Sequence, residues 1–295
     1  MMLVRISLAV SALVVLVGWS CGGPGPADRL VDIGTHSLHA VVLGEGHPAI
    51  VIDGGIGATA EEYHGIQERL AKEATVVTYD RAGYGRSEAG PLPRDGRTES
   101  GELRALLSKL GLRGPYVLVG HSLGGLNVEV YAGLYPEEVA GMVLLDPPPL
   151  AWLLGERYED LRAMAEQMTE EWQGIADRGI NSPDDPERAQ AVFFQMLASE
   201  HRGMFGSSAL LAGEIESFGD TPLQVIASGV PNQRFGADAE GYQQYWIEES
   251  RVLATKSSRG RFVLAEESTH RLHDDAVDLV VESILAILEE ARKRR

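Results

Sequence analysis

Gly120-His121-Ser122-Leu123-Gly124-Gly125 organises the chain around it. The apolar run Tyr116 to Val119 precedes it and predicts a buried strand; Leu123 to Tyr135 follows, a segment of helical length closed by Pro136. A strand, a sharp turn and a helix thus meet with a serine at the apex. Glycines two before and two after Ser122 suit a bend where backbone runs against backbone and a Cβ would collide. Such a bend holds a hydroxyl out where a substrate can meet it.

Upstream, Leu30 to Ile33 and Ser37 to Leu43 flank Gly34-Thr35 as a hairpin. Ala49 to Ile52 predicts a strand running into Asp53-Gly54-Gly55-Ile56-Gly57, and Thr75 to Tyr79 another, ending in Asp80-Arg81-Ala82-Gly83-Tyr84-Gly85-Arg86-Ser87. Tyr63, Ile66 and Leu70 recur at helical spacing, as do Leu103, Leu106, Leu107 and Leu110 before Gly111. Met142 to Leu145 is the next buried strand. Strands alternating with helices imply a parallel sheet covered on both faces. The pattern changes at Pro147-Pro148-Pro149: the helical stretches Arg157 to Trp172 and Glu187 to Ser199 follow, with no convincing strand before Leu223 to Ala227. A helix through Tyr242 to Leu253, the strand Phe262 to Ala265 and a final helix striped by Val277, Val280, Val281, Ile284, Ile287 and Leu288 close the chain.

Gly-x-Ser-x-Gly in this setting resembles the nucleophile elbow of the α/β-hydrolase superfamily. The likeness runs in order along nearly all of the chain after residue 30, and Asp80 to Ser87 resembles a structural turn common there. It implies an α/β fold: a mostly parallel eight-stranded sheet with helices on both faces and an inserted helical cap. The expected division is residues 30–146 and 221–295 for the core and 147–220 for the cap.

Strand ends of a parallel sheet share one edge, so residues far apart in sequence can meet there. A serine hydroxyl needs a base within hydrogen-bond reach, and a histidine suits that task. The resemblance makes Ser122 the nucleophile and His270, in Glu266-Glu267-Ser268-Thr269-His270, the base, with His273 as fallback. The chain departs from the family at the third member, because Ser228 to Gln233 after the seventh strand holds no acid. Asp146, directly after the sixth strand, is preferred to Asp238 as the group that orients the imidazole. The oxyanion donors implied are the backbone N–H groups of Leu123 and Gly55. Asp53 stands where the family carries histidine, and a carboxylate there must turn away or be neutralised. Trp152, Leu153 and Leu154 are candidates for an acyl pocket.

The implied activity is that of a cofactor-free serine hydrolase, cleaving a small-molecule carboxylic ester or related acyl compound through an acyl-enzyme. Acyl transfer, peptide cleavage and a non-catalytic binding protein on the same fold are the alternatives. Epoxide hydrolases and dehalogenases of the family carry aspartate at the elbow instead. His36, His39, His47, His64 and His201 lack metal-ligand spacing, and the glycines form no phosphate loop.

The 295 residues, 44% of them hydrophobic, suffice for one large core. A net charge of -17 argues against nucleic acid and anionic membranes as partners. Arg5 followed by apolar Ile6 to Val17 predicts an export signal over residues 1–21, with 22–29 as a tether. Cys21, the single cysteine, precludes an intramolecular disulfide and sits where a lipoprotein signal places its lipidated residue, although Gly18-Trp19-Ser20 departs from that pattern. An ordinary cleaved signal is the alternative. The expected location is outside the cytoplasm, either anchored through Cys21 or secreted or periplasmic.

Overall fold

The computed structural model describes residues 27–155 and 157–294; the expected signal segment and Cys21 lie outside them. In chain order these residues form β1 (Ala27–Asp32), β2 (Ser37–Leu43), β3 (Ile50–Asp53), α1 (His64–Leu70), β4 (Val76–Tyr79), α2 (Gly96–Lys109), β5 (Tyr116–His121), α3 (Leu123–Leu134) and β6 (Val139–Leu145). The short α4 (Leu150–Leu153), the long α5 (Glu159–Gly179) and α6 (Asp185–Gly203), and α7 (Ala209–Gly213) come next. The chain ends with β7 (Leu223–Ser228), α8 (Ala239–Ala254), β8 (Gly260–Ala265), α9 (Leu272–Asp275) and α10 (Val277–Lys293).

The strands form one sheet in the order β1-β2-β4-β3-β5-β6-β7-β8. The β1–β2 hairpin and its junction with β4 are antiparallel, and every other pairing is parallel. The central strands are buried along their whole length, so they read as continuous apolar runs, yet successive side chains still face opposite ways. Val51 and Leu118 pack with Leu103, Leu106 and Leu107 of α2 and Tyr131 of α3 on one face. Ile50, Ile52, Val117 and Val119 pack with Ile66 and Leu70 of α1 and Ile284 and Leu288 of α10 on the other.

After β3 the chain steps to β4 on one side and then returns to place β5 on the other, so strand order reverses between β3 and β5. The crevice beyond the carboxyl ends of these two strands is where such sheets bind ligands, and it collects the turn at 53–57 and the elbow. Helices α4 to α7 fill the interval between β6 and β7, without a strand among the described residues. Trp152, Leu153, Met204 and Ala209 from this insertion join Tyr242 and Tyr245 of α8 in a small core over Leu123 and Leu126. The insertion therefore sits against the start of α3, beside Ser122.

Candidate active site

Ser122 has φ 53° and ψ -120°, a conformation that a residue with a side chain adopts only under strain. The surrounding packing enforces it. A Cβ on Gly120 would overlap the Gly124 carbonyl, and one on Gly124 would overlap the Asp53 carbonyl at the end of β3. Strand, helix and neighbouring turn are thus in backbone contact. The Leu123 N–H, at the start of α3, donates to no group among the described residues.

Asp146 follows β6 at φ 49°, in the left-handed region that aspartate tolerates better than most residues. Its buried carboxylate accepts three hydrogen bonds: Oδ1 from the Ser228 N–H (2.8 Å), and Oδ2 from Ser228 Oγ (2.8 Å) and His270 Nδ1 (2.7 Å). Ser228 ends β7, the strand beside β6, so adjacent strands hold the carboxylate against the imidazole. Carrying a hydrogen on Nδ1 leaves His270 Nε2 as the basic nitrogen of the neutral ring.

Ser122, Asp146 and His270 line a single cavity of about 160 Å³ with Ile56, Trp152, His201, Met204, Ser228 and Trp246. No hydrogen bond joins Ser122 Oγ to His270, and catalytic contacts of this kind often tighten only around substrate. Larger, more open depressions near Arg104 and near Phe218, about 660 and 640 Å³, contain none of these three residues. Asp238, the alternative acid, is exposed at the start of α8 and makes no hydrogen bond with His270. His273, the fallback base, is buried behind the site, its ring 4.7 Å from Tyr63 and 4.8 Å from His121.

The turn after β3 holds the expected oxyanion donor Gly55 and its neighbour Ile56. The Gly55 N–H donates to Tyr63 Oη at 3.0 Å, so it is already engaged. The neighbouring Ile56 N–H has no acceptor among the described residues, and Ile56 lines the cavity. Tyr63 Oη in turn meets His121 Nδ1 at 2.8 Å, and His121 Nε2 meets the His270 carbonyl at 2.8 Å. Burial pushes His121 well below the ordinary histidine range, so the ring is neutral. Because a carbonyl only accepts, Nε2 carries the hydrogen and Tyr63 donates to Nδ1. His121 therefore points away from the cavity and ties the turn to the backbone of His270.

Asp53 is turned from the cavity and meets Arg81 Nη1 at 2.7 Å, both residues being buried. That pairing supplies the neutralisation the substitution for histidine demands. Arg81 also reaches Glu200 of α6, a link that sequence patterning missed. The available signal was the need for a cation near Asp53, met by an arginine just past the adjacent strand β4. His201 lines the cavity as well, with Nδ1 2.5 Å from Thr169 Oγ1 and burial lowering its pKa to about 4. No group of three His, Cys, Asp or Glu among the described residues could hold a metal, and no helix among them is long and apolar enough to cross a membrane.

Comparison with known proteins agrees with this architecture. Residues 48–190 match the sequence model of the alpha/beta hydrolase fold. The uncharacterised protein YqjL of Bacillus subtilis is 26% identical over 245 residues, spanning 83% of this chain and 84% of that protein. Lipase LipV of Mycobacterium tuberculosis is 33% identical over 158 residues, about half of each chain (52% and 53%). Among solved structures, a thermophilic esterase from Thermogutta terrifontis superimposes with a TM-score of 0.64 at 21% identity, covering 90% of this chain and 99% of its own. A Pseudomonas aeruginosa protein provisionally named an epoxide hydrolase, in a single-substitution variant, gives 0.70 at 21%, covering 92% and 97%. At such identities the structural likeness speaks for the fold alone. By its strand order, its helical insertion after β6 and the match over residues 48–190, the chain is an α/β-hydrolase-fold protein.

Proposed function

We propose that the protein is a serine hydrolase that cleaves small carboxylic esters through an acyl-enzyme. The observation that carries this reading is the 2.7 Å hydrogen bond between Asp146 and His270 in the cavity that Ser122 also lines. In it, Ser122 Oγ attacks the ester carbonyl while His270 Nε2 takes its proton, and the Asp146 carboxylate stabilises the imidazolium. The developing oxyanion lies between the Leu123 and Ile56 N–H groups, fixed donors at the site of new charge. His270 returns the proton to the leaving alcohol; a water, deprotonated by the same nitrogen, then releases the acid and frees the serine. Serine at the elbow favours this route over epoxide opening, for which the family uses aspartate.

The small cavity favours a short acyl group, since drug-sized ligands occupy roughly 300–1,000 Å³. Labelling by a fluorophosphonate, lost in Ser122→Ala, and hydrolysis of p-nitrophenyl esters of graded acyl length test the reading together. The expected result is labelling at Ser122 with acetate or propionate preferred to octanoate. An unlabelled native protein without esterase activity would overturn it.

A further inference from the structure

We propose that Arg81, which does not touch the cavity, is the positioning residue that aims the Ile56 N–H at the oxyanion, and that Glu200 of the insertion helps hold it; this deepens the ester-hydrolase reading and rests on it. All five guanidinium N–H donors are engaged. Nη1 donates to Asp53 Oδ1 (2.7 Å) and the Gly54 carbonyl (2.5 Å), Nη2 to the Gly55 carbonyl (2.8 Å) and Glu200 Oε2 (3.0 Å), and Nε to Glu200 Oε1 (3.0 Å). One planar fork therefore grips two consecutive carbonyls of the turn.

In a planar trans peptide the C=O and the following N–H point opposite ways. Drawing the Gly54 carbonyl toward Arg81 turns the Gly55 N–H outward, where Tyr63 accepts it. Drawing the Gly55 carbonyl the same way turns the Ile56 N–H outward too, and no protein group accepts that one among the described residues. The Tyr63 contact is an internal check on the geometry, because it finds one of the two amides on the side opposite Arg81.

The guanidinium could not hold these carbonyls unless its own place were fixed. Asp53 anchors it to β3, and Glu200, itself buried and receiving the Tyr84 hydroxyl at 2.7 Å, grips it from α6. Lysine offers three donors around a point rather than a fork, so Arg81→Lys keeps the charge and loses the simultaneous grip.

The test compares Arg81→Lys and Glu200→Gln with the native protein on p-nitrophenyl acetate, alongside inhibition by a trifluoromethyl ketone that forms a tetrahedral oxyanion on the serine. A donor that acts on the transition state predicts a kcat loss of about 10- to 100-fold in Arg81→Lys, KM within about twofold, and ketone affinity reduced by the same factor as kcat/KM. Glu200→Gln should give the same signature at smaller size, and it decides the matter if Arg81→Lys does not fold. Unchanged kcat in a folded variant, or a loss confined to KM or to melting temperature, overturns the positioning role. Fluorophosphonate labelling of native Ser122 separates the failures: without it the ester-hydrolase reading falls, and with it only the role of Arg81 does.

Discussion

His270 Nδ1 lies 2.7 Å from Asp146 Oδ2 although 124 residues separate them, and the carboxylate they share is fixed by Ser228 rather than by any neighbour in sequence. An asparagine at 146 would keep the shape and the left-handed backbone but turn an N–H₂ toward one of its present donors. On the proposed mechanism Asp146→Asn lowers kcat for p-nitrophenyl acetate by about 10³- to 10⁴-fold, the scale known for the serine-protease triad. Asp238→Asn, at an exposed site without contact to His270, leaves kcat unchanged. Equal losses in the two variants, or none in the first, would remove Asp146 from the mechanism.

Tyr63 joins two parts of the site, accepting from Gly55 and donating to His121. Tyr63→Phe keeps the ring and leaves a buried N–H and a buried imidazole nitrogen without partners. An unmet buried polar group costs about 1–3 kcal/mol, so the midpoint of urea unfolding should fall accordingly at unchanged slope. A variant as stable as the native protein would mean that these groups find other partners.

Glu129 on α3 is buried, and desolvation outweighs the attraction of Lys256 to push its carboxyl up to about 7. In the unfolded chain the group titrates near 4.5. Between those values the folded protein holds a proton that the unfolded chain has released, so stability is full below the lower value and falls as pH rises through the upper one. The loss amounts to about 3 kcal/mol. Glu129→Gln cannot titrate. Its melting temperature should match the native protein at pH 4 and exceed it at pH 8; an equal difference at both would show that the carboxyl is not protonated on folding.

What the sequence disclosed follows from how local each feature is. The strand runs at 50–53, 76–79, 116–121, 139–145 and 223–228 are mostly apolar because both sheet faces are covered, and the ends of 116–121, 139–145 and 260–265 locate Ser122, Asp146 and His270 without knowledge of any contact. The turn after β3 could not be resolved this way. Whether Gly55 or Ile56 presents its N–H depends on which way two peptide planes face, and that is set by Tyr63 and Arg81, at residues whose own spacing predicts only a helix and a loop. Glu200 was still less accessible: it lies 119 residues from Arg81 on a helix whose amphipathic pattern declares a buried side but not what that side covers.

Two glycines separate backbone packing from helix propensity. Gly101 lies in α2 with nothing within 4 Å of an added Cβ, so Gly101→Ala should stabilise the fold by about 0.5–1 kcal/mol. Gly124 also lies in a helix, α3, where alanine is equally favoured by propensity. Its Cβ, however, would enter the space of the Asp53 and Gly54 carbonyls, and neither can yield without moving β3 or releasing the hold of Arg81 on the Gly54 oxygen. Gly124→Ala should therefore destabilise by more than the roughly 1–3 kcal/mol of ordinary overpacking, or fail to fold. Melting curves of the two variants decide it: similar gains in both would mean that the backbones of β3 and α3 do not touch at the elbow, and the donor geometry built on that contact would go with them.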